Sequence, residues 1–312
     1  MEYGAILILC LAAFIHASWN LLAKRGLDNQ VFLWLSMAAS SVLLFLPAAF
    51  LYRPTPRAGL ALVLFSGGLE ALYVIMLGAA YGSGDFSVVY PVARGSAPIF
   101  AAVFSFVFLN ESVPPTGIAG VVLAALGVFA VRLDAGGDQR AGPLVVETCA
   151  AHSGPPVVET CAAHAGAAGK RLRNRAFLLA LVTGAVIGAY STVDKAGVTY
   201  MHPVAYICGA FGISACLLAP HMISKRRGAV VREFEVNRRW IMAVGAMTAA
   251  SYALVLLSMK WNKAAYVSAV REVSVVFAAI LGSVVLRERF TPRKLLGALT
   301  IFAGIMLIGL SR

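Results

Sequence analysis

Ser87–Val131, SVVYPVARGSAPIFAAVFSFVFLNESVPPTGIAGVVLAALGVFAV, reads again without a gap as Ala264–Ile308, AAYVSAVREVSVVFAAILGSVVLRERFTPRKLLGALTIFAGIMLI. A constant offset pairs Arg94 with Arg271, Phe100-Ala101-Ala102 with Phe277-Ala278-Ala279, and Leu109 with Leu286. It also pairs Glu111 with Glu288, Pro115 with Pro292, Gly120 with Gly297 and Gly127 with Gly304. About ten of roughly forty-five positions are identical, and most of the rest exchange one apolar residue for another. Apolar segments match by chance. An arginine inside such a segment, a loop glutamate and two glycines in register do not. The chain is a duplicated membrane unit, an arrangement that places sites at the interface between two halves.

Composition agrees. Of 312 residues, 60% are hydrophobic and 13% charged, and the mean hydropathy is +0.83. A soluble domain carries about twice that charged fraction. Apolar runs long enough to cross a bilayer, roughly 17–25 residues, occur near 4–22, 31–51, 59–80, 88–109 and 115–132. They resume near 176–194, 203–223, 239–258, 264–286 and 294–310. The sequence therefore predicts an all-α membrane protein of ten transmembrane helices. Residues 1–132 hold the first five-helix repeat, 133–175 a flexible linker and 176–312 the second repeat. The first run is expected to stay as a helix, because no basic stretch precedes it and Leu9 before Cys10 does not suit a lipoprotein site. Its counterpart in the second half supports this, with Ala17, Trp19, Lys24 and Gly26 matching Gly188, Tyr190, Lys195 and Gly197.

The net charge of +12 does not indicate nucleic acid, since the basic residues sit between apolar runs and not on a soluble face. Alternate loops are unequal. One side collects Lys24, Arg25, Arg132, the linker cations, Lys225, Arg226, Arg227, Arg232, Arg238, Arg239, Arg287, Arg289, Arg293 and Lys294. The other has only Arg53, Arg57, Lys195, Lys260, Lys263 and Arg312. The positive-inside rule then puts the linker and the loops after the seventh and ninth helices in the cytoplasm, with both termini outside.

Within the linker, Val145–His152 recurs as Val157–His164, giving two copies of Glu-x-Cys-x-x-His. The spacing is not a common structural-zinc pattern. The favoured reading is a tandem duplication tolerated in a loop, with a metal-sensing loop as the alternative. Cys10, Cys208 and Cys216 lie in apolar runs and read as small hydrophobes, not a disulfide framework.

No metal-hydrolase His pair, phosphate loop or nucleophile elbow is present, so no enzyme activity, cofactor or metal is expected. The chemistry falls to ionisable residues at membrane depth, each costly there. Arg94 lies between Pro91 and Pro98, and Arg271 at the equivalent place is followed by Glu272. A guanidinium fork suits a carboxylate or phosphate; the alternative is snorkelling, or pairing with Glu272 or Asp85. Glu70 sits among Gly67, Gly68, Leu69, Ala71 and Leu72, with Tyr73 on the same face. Desolvation there disfavours its charged form, as a proton-coupled carrier needs; a fixed ion pair with Arg94 is the alternative. His16, Asn20 and Lys24 share one helical face beside Trp19, as lining or as an interfacial anchor. Tyr90 joins Arg94 as a candidate lining residue. Thr291-Pro292 reads as a helix cap followed by proline at the first position, and Glu111 and Glu288 as charges favouring the helix that follows each. Glycines 120, 127, 297 and 304 read as close packing within the monomer, with a homodimer face as the alternative.

The paired blocks Pro91-x-x-Arg94-x-x-x-Pro98 through Phe108-Leu109-Asn110-Glu111, and Phe277-Ala278-Ala279 through Leu286-Arg287-Glu288-Arg289, resemble the EamA family of the drug/metabolite transporter superfamily. His16-Ala17-Ser18-Trp19-Asn20-x-x-x-Lys24 is similar to first helices of that family. The resemblance covers both halves. Departures are Asn110-Glu111 where Gly-Glu is frequent, and a longer linker. The resemblance implies two five-helix inverted repeats in a bacterial inner membrane, carrying small metabolites such as amino acids, often outward. Its partners would be a small-molecule substrate and the bilayer. Alternatives are a phosphonate or organic-anion uptake carrier, and a membrane sensor or assembly partner without transport.

Overall fold

The computed structural model describes residues 3–109, 114–134, 155–259, 273–286 and 291–310. These form ten helices, with no strand among the described residues. The first half holds α1 (Tyr3–Ala23), α2 (Asn29–Leu51), α3 (Arg57–Ser83), α4 (Phe86–Leu109) and α5 (Pro115–Asp134). The second holds α6 (Pro155–Gly197), α7 (Pro203–Lys225), α8 (Arg227–Met259), α9 (Ser274–Val285) and α10 (Pro292–Leu310).

Local chemistry sets several starts. The Asp28 carboxylate accepts from the backbone N–H groups of Gln30 (3.1 Å) and Val31 (3.3 Å), capping α2. His202 caps α7 through Nδ1, ahead of Pro203. Thr291 caps α10 ahead of Pro292, as its sequence predicts. Among the described residues, Asn29–Leu51, Arg57–Ser83, Asn174–Asp194 and Pro203–Lys225 are long and apolar enough to cross a bilayer. Leu7–Ala23, Pro115–Val131 and Ser274–Val285 are shorter apolar helices. Outward faces are greasy: Ile118, Val122, Leu126 and Phe129 form an exposed stripe along α5, and Phe45, Leu46 and Phe50 do so on α2. Such a surface needs lipid, not water.

Two segments differ from expectation. The connector anticipated over 133–175 becomes helical at Pro155, so the second copy of the linker repeat lies inside α6. Prolines cost nothing at a helix start, and the run after them is rich in alanine and lysine or arginine. The first copy lies outside the described residues. The loop anticipated at 224–238 shrinks to a break at Arg226, because α8 begins at Arg227. Arg271, Glu272, Glu111 and Glu288 also lie outside the described residues.

Exchanging the halves preserves the main helix pairings. α6 packs on α3 and α4, as α1 packs on α8 and α9; α3 packs on α7, as α8 packs on α2. Helices α2 and α7, α4 and α9, and α5 and α10 pair with their own counterparts. The correspondence holds residue by residue. A Cβ added at Gly67 would meet Ile213 and the carbonyl oxygen of Ala210 (3.1 Å). One at Gly245 would meet Ala39 (2.8 Å) and the carbonyl oxygen of Ser36 (3.0 Å). In the α5–α10 seam, Gly127 faces the Gly297 carbonyl and Ile301, while Gly304 faces the Gly120 carbonyl and Ala124. The glycines therefore serve close packing between the halves.

One end of the bundle is tied by polar contacts. Arg226 pairs with Asp28 at 2.8 Å and donates to Gln30 at 2.7 Å. Buried Glu233 accepts from the Asp28 backbone N–H (2.8 Å) and from Asn237 (2.5 Å). At the same end Lys24 donates to the carbonyls of Tyr81 and Gly84, and Lys294 donates to Ser87 at 3.1 Å.

Candidate functional site

Helix α1 packs on α8 and α9 and reaches α3 and α4 through side chains, which fill a central space walled by both halves. From α1, Asn20 accepts from the Tyr81 phenol at 2.8 Å and donates to the His16 carbonyl at 2.9 Å. Its amide thus ties α1 to α3. An aromatic arc continues the wall: His16 lies edge-on to Trp19 at 5.1 Å and 6.4 Å from Tyr90. Tyr90 lies 5.3 Å from Phe86, and Phe86 5.8 Å from Tyr81. The buried Trp19 indole N–H has no acceptor among the described residues. Such a donor in a dry site invites a ligand acceptor.

Further along the same helix faces stand Glu70 and Tyr73 on α3 and Arg94 on α4, with Tyr190 of α6 against Tyr73. Tyr73 and Tyr190 meet edge to face at 5.9 Å. The Arg94 charge is felt at the phenols of Tyr73, Tyr81 and Tyr190, and Tyr252 of α8 interacts with Tyr73 and Tyr190. Arg94 is 6% exposed and Glu70 3%. Helix α4 is held on both sides: Gly184 of α6 lies against Ser96, and Gly95 lies against Ile301 of α10. Small residues bring these backbones close and leave the Arg94 position fixed. Glu70 makes no hydrogen bond or ion pair among the described residues, so a fixed Glu70–Arg94 pair is not formed.

The fold brings together Trp19, Asn20, Glu70, Tyr73, Tyr90 and Arg94 of the sequence-derived candidates. It adds Tyr81, Tyr190 and Tyr252, and outside this set, toward the end of α6, stands one carboxyl that sequence reasoning missed. Asp194 of α6 accepts from the Ser66 hydroxyl at 2.5 Å, and its charge reaches Glu70. The signal was present as an acid inside an apolar run. It stood last in that run, beside Lys195, where a charge looks like a membrane boundary.

Tyrosine walls with one arginine and one acid can orient a small charged solute: the fork on an anionic group, phenols on polar groups, ring faces on apolar parts or a cation. Residues 3–133 and 174–310 each match the EamA-like transporter family. The chain belongs to the EamA-like transporter family. It is a multi-pass membrane transporter of the drug/metabolite type, in a family of transporters and not of enzymes, and its surroundings are lipid and a small-molecule substrate. A solved structure described only as the crystal structure of a protein superposes on this EamA-like chain with TM-score 0.57. It is 14% identical, over 98% of this chain and 96% of that one, which is a likeness of fold. No curated protein matches the chain.

Proposed function

We propose that this EamA-like protein is a secondary carrier exporting a small amino-acid-like, or other anionic or zwitterionic, solute across a bacterial inner membrane. One observation carries the reading: a buried acid without a partner among the described residues and a buried arginine meet in a tyrosine-lined space between two repeats. Arg94 takes the anionic group through its fork. Arg271, its repeat equivalent, supplies the second wall, with Glu272 beside it. Trp19 and Tyr90 close the aromatic side. The halves are inverted repeats, each of five spans, and rock about their shared interface to expose the site to either face in turn. Glu70 supplies the group through which transport is coupled to a proton.

Counterflow of labelled amino acids, carboxylates and phosphonates in proteoliposomes tests this directly. Exchange of at least one zwitterionic or carboxylate solute is expected. Exchange of phosphonates alone would favour the organic-anion uptake carrier. No exchange by folded protein across the panel would sink the carrier reading and favour a sensor or assembly partner.

A further inference from the structure

One corner, between α3, α6 and α7, keeps its packing under exchange of the halves but changes its chemistry. Ser66 donates to Asp194 Oδ1 at 2.5 Å, and the Tyr206 phenol, which donates to the Leu62 carbonyl at 3.4 Å, stands beside the same carboxyl. At the equivalent corner stand Val244, Ala23 and Phe32. The match is anchored on both sides. Gly67 and Gly245, next to Ser66 and Val244, make corresponding contacts. Gly26 would meet Phe32 with an added Cβ at 2.7 Å, and Gly197 would meet the Tyr206 ring. Val244, Ala23 and Phe32 are all buried. An apolar trio therefore packs well in this geometry, and nothing about the scaffold calls for an acid with two hydroxyls. Asp194 is half-buried, and a carboxyl drawn even partly out of water is costly, so its presence at one corner only needs a reason other than packing.

Glu70 lies one turn from Ser66 on the same face of α3. It is 3% exposed, lacks any hydrogen bond or ion pair among the described residues, and senses the Asp194 charge. Its equivalent on α8 is Thr248, whose hydroxyl is satisfied by the Val244 carbonyl at 2.8 Å. The groups around the two acids are Ser66 and Tyr73 of α3, Arg94 and Tyr90 of α4, Tyr190 of α6, Tyr206 of α7 and Tyr252 of α8. Lys195 follows Asp194 in the chain.

We infer that Glu70 and Asp194 form one proton-binding site, the coupling site of the carrier, with Ser66 holding Asp194 beside Tyr206 at the α6–α7 turn. This rests on the carrier reading above. Two neighbouring carboxylates, one buried and one half-buried, repel more strongly than in water, and one proton shared between them relieves this. On binding, a proton from water forms an O–H bond to one carboxylate oxygen, and the pair passes from two negative charges to one. Release reverses the step, with no other reactant. Asp194 lies three residues before the end of α6, Glu70 beside the substrate space. The pair thus connects one end of the bundle to the chamber, and a solute charge near Glu70 governs where the proton sits.

An infrared titration of the purified protein, reading the carbonyl stretch of protonated carboxyls, needs no substrate. One proton per chain is expected, with the band altered by Glu70→Gln and by Asp194→Asn, each shifting the titration of the remaining acid. Two independently titrating bands, or a band that neither substitution touches, would overturn the shared site. The corner can also be made symmetric with Ser66→Val, Asp194→Ala and Tyr206→Phe together. That variant is expected to fold, to retain counterflow of whichever labelled amino acid or carboxylate the wild type exchanges, and to lose accumulation driven by an imposed pH gradient. Asp194→Asn, which keeps size and shape, carries the same expectation if the triple variant does not fold. Gradient-driven accumulation surviving in either variant would overturn the inference and leave the carrier intact. Absence of counterflow in the wild type would instead remove the carrier reading while the titration still decides whether the acids share a proton.

Discussion

The α5–α10 seam and the central cluster of polar and aromatic side chains follow opposite plans within one molecule. In the seam, equivalent residues make equivalent contacts, with Gly127 on the Gly297 carbonyl and Gly304 on the Gly120 carbonyl. In the cluster and at the corner beside it, equivalent places hold different chemistry: Glu70 against Thr248, Tyr73 against Ser251, Trp19 against Tyr190, Asp194 against Ala23. The contrast has a physical source. Backbones in contact leave no room for a side chain, so any change there is felt by both halves. A space lined by side chains tolerates exchange, and so it is where the two copies have diverged.

The largest effect should come from filling the seam. A Cβ at Gly127 would already lie 2.6 Å from the Ile301 nitrogen, and leucine extends further. Gly127→Leu is expected to destabilise by more than about 3 kcal/mol, read as loss of folded, monodisperse protein in detergent. Gly304→Leu should match it; clearly unequal losses would break the symmetry of the seam. Next comes Arg94→Gln, expected to weaken binding of an anionic substrate by about 1.5–3 kcal/mol in an equilibrium binding assay. Arg94→Lys should recover part of this, since it keeps charge without the fork. A matching fall in melting temperature would move Arg94 from the cluster's chemistry to its scaffold.

Smaller effects lie away from both regions. Asp28 and Arg226 are 22% and 31% exposed, so a double-mutant cycle of Asp28→Asn and Arg226→Gln should give about 0.5–1 kcal/mol of coupling. Asparagine keeps the cap on α2, which isolates the charge. The least effect is expected at Gly68, where an added Cβ meets nothing within 4 Å. Gly68→Ala should change thermal stability by no more than about 1 kcal/mol, in the stabilising direction. A large loss would show that freedom from contact is not what separates this glycine from Gly127.

The repeat, the helices and the glycine seam were legible because identical residues recur in register, and only close packing or a turn demands glycine and proline there. Arg94 and Glu70 stood out as charges in apolar runs. Asp194 did not, since only the fold lays Ser66 and Tyr206 against it and so draws a boundary residue half-way out of water. Tyr81, Tyr190 and Tyr252 gave no signal, because a tyrosine's role depends on which way its helix turns. The charged stretch at the start of α8 read as loop for a related reason. Glu233 is buried there only because the α1–α2 connection offers it a backbone donor, a tertiary contact that no local pattern announces.

The glutamate that faces a threonine across the exchange of halves also says something about parity. A carrier assembled from two identical five-helix chains would hold every central charge in duplicate: Glu70 twice, Asp194 twice, and their repulsion growing as the interior dries. Such an assembly can never place an odd number of acids near its axis. Joining the copies end to end removes that restriction, because each half is then free to mutate alone. This chain carries the arginine in both copies and the glutamate in one. Fusion lets its centre count charges singly.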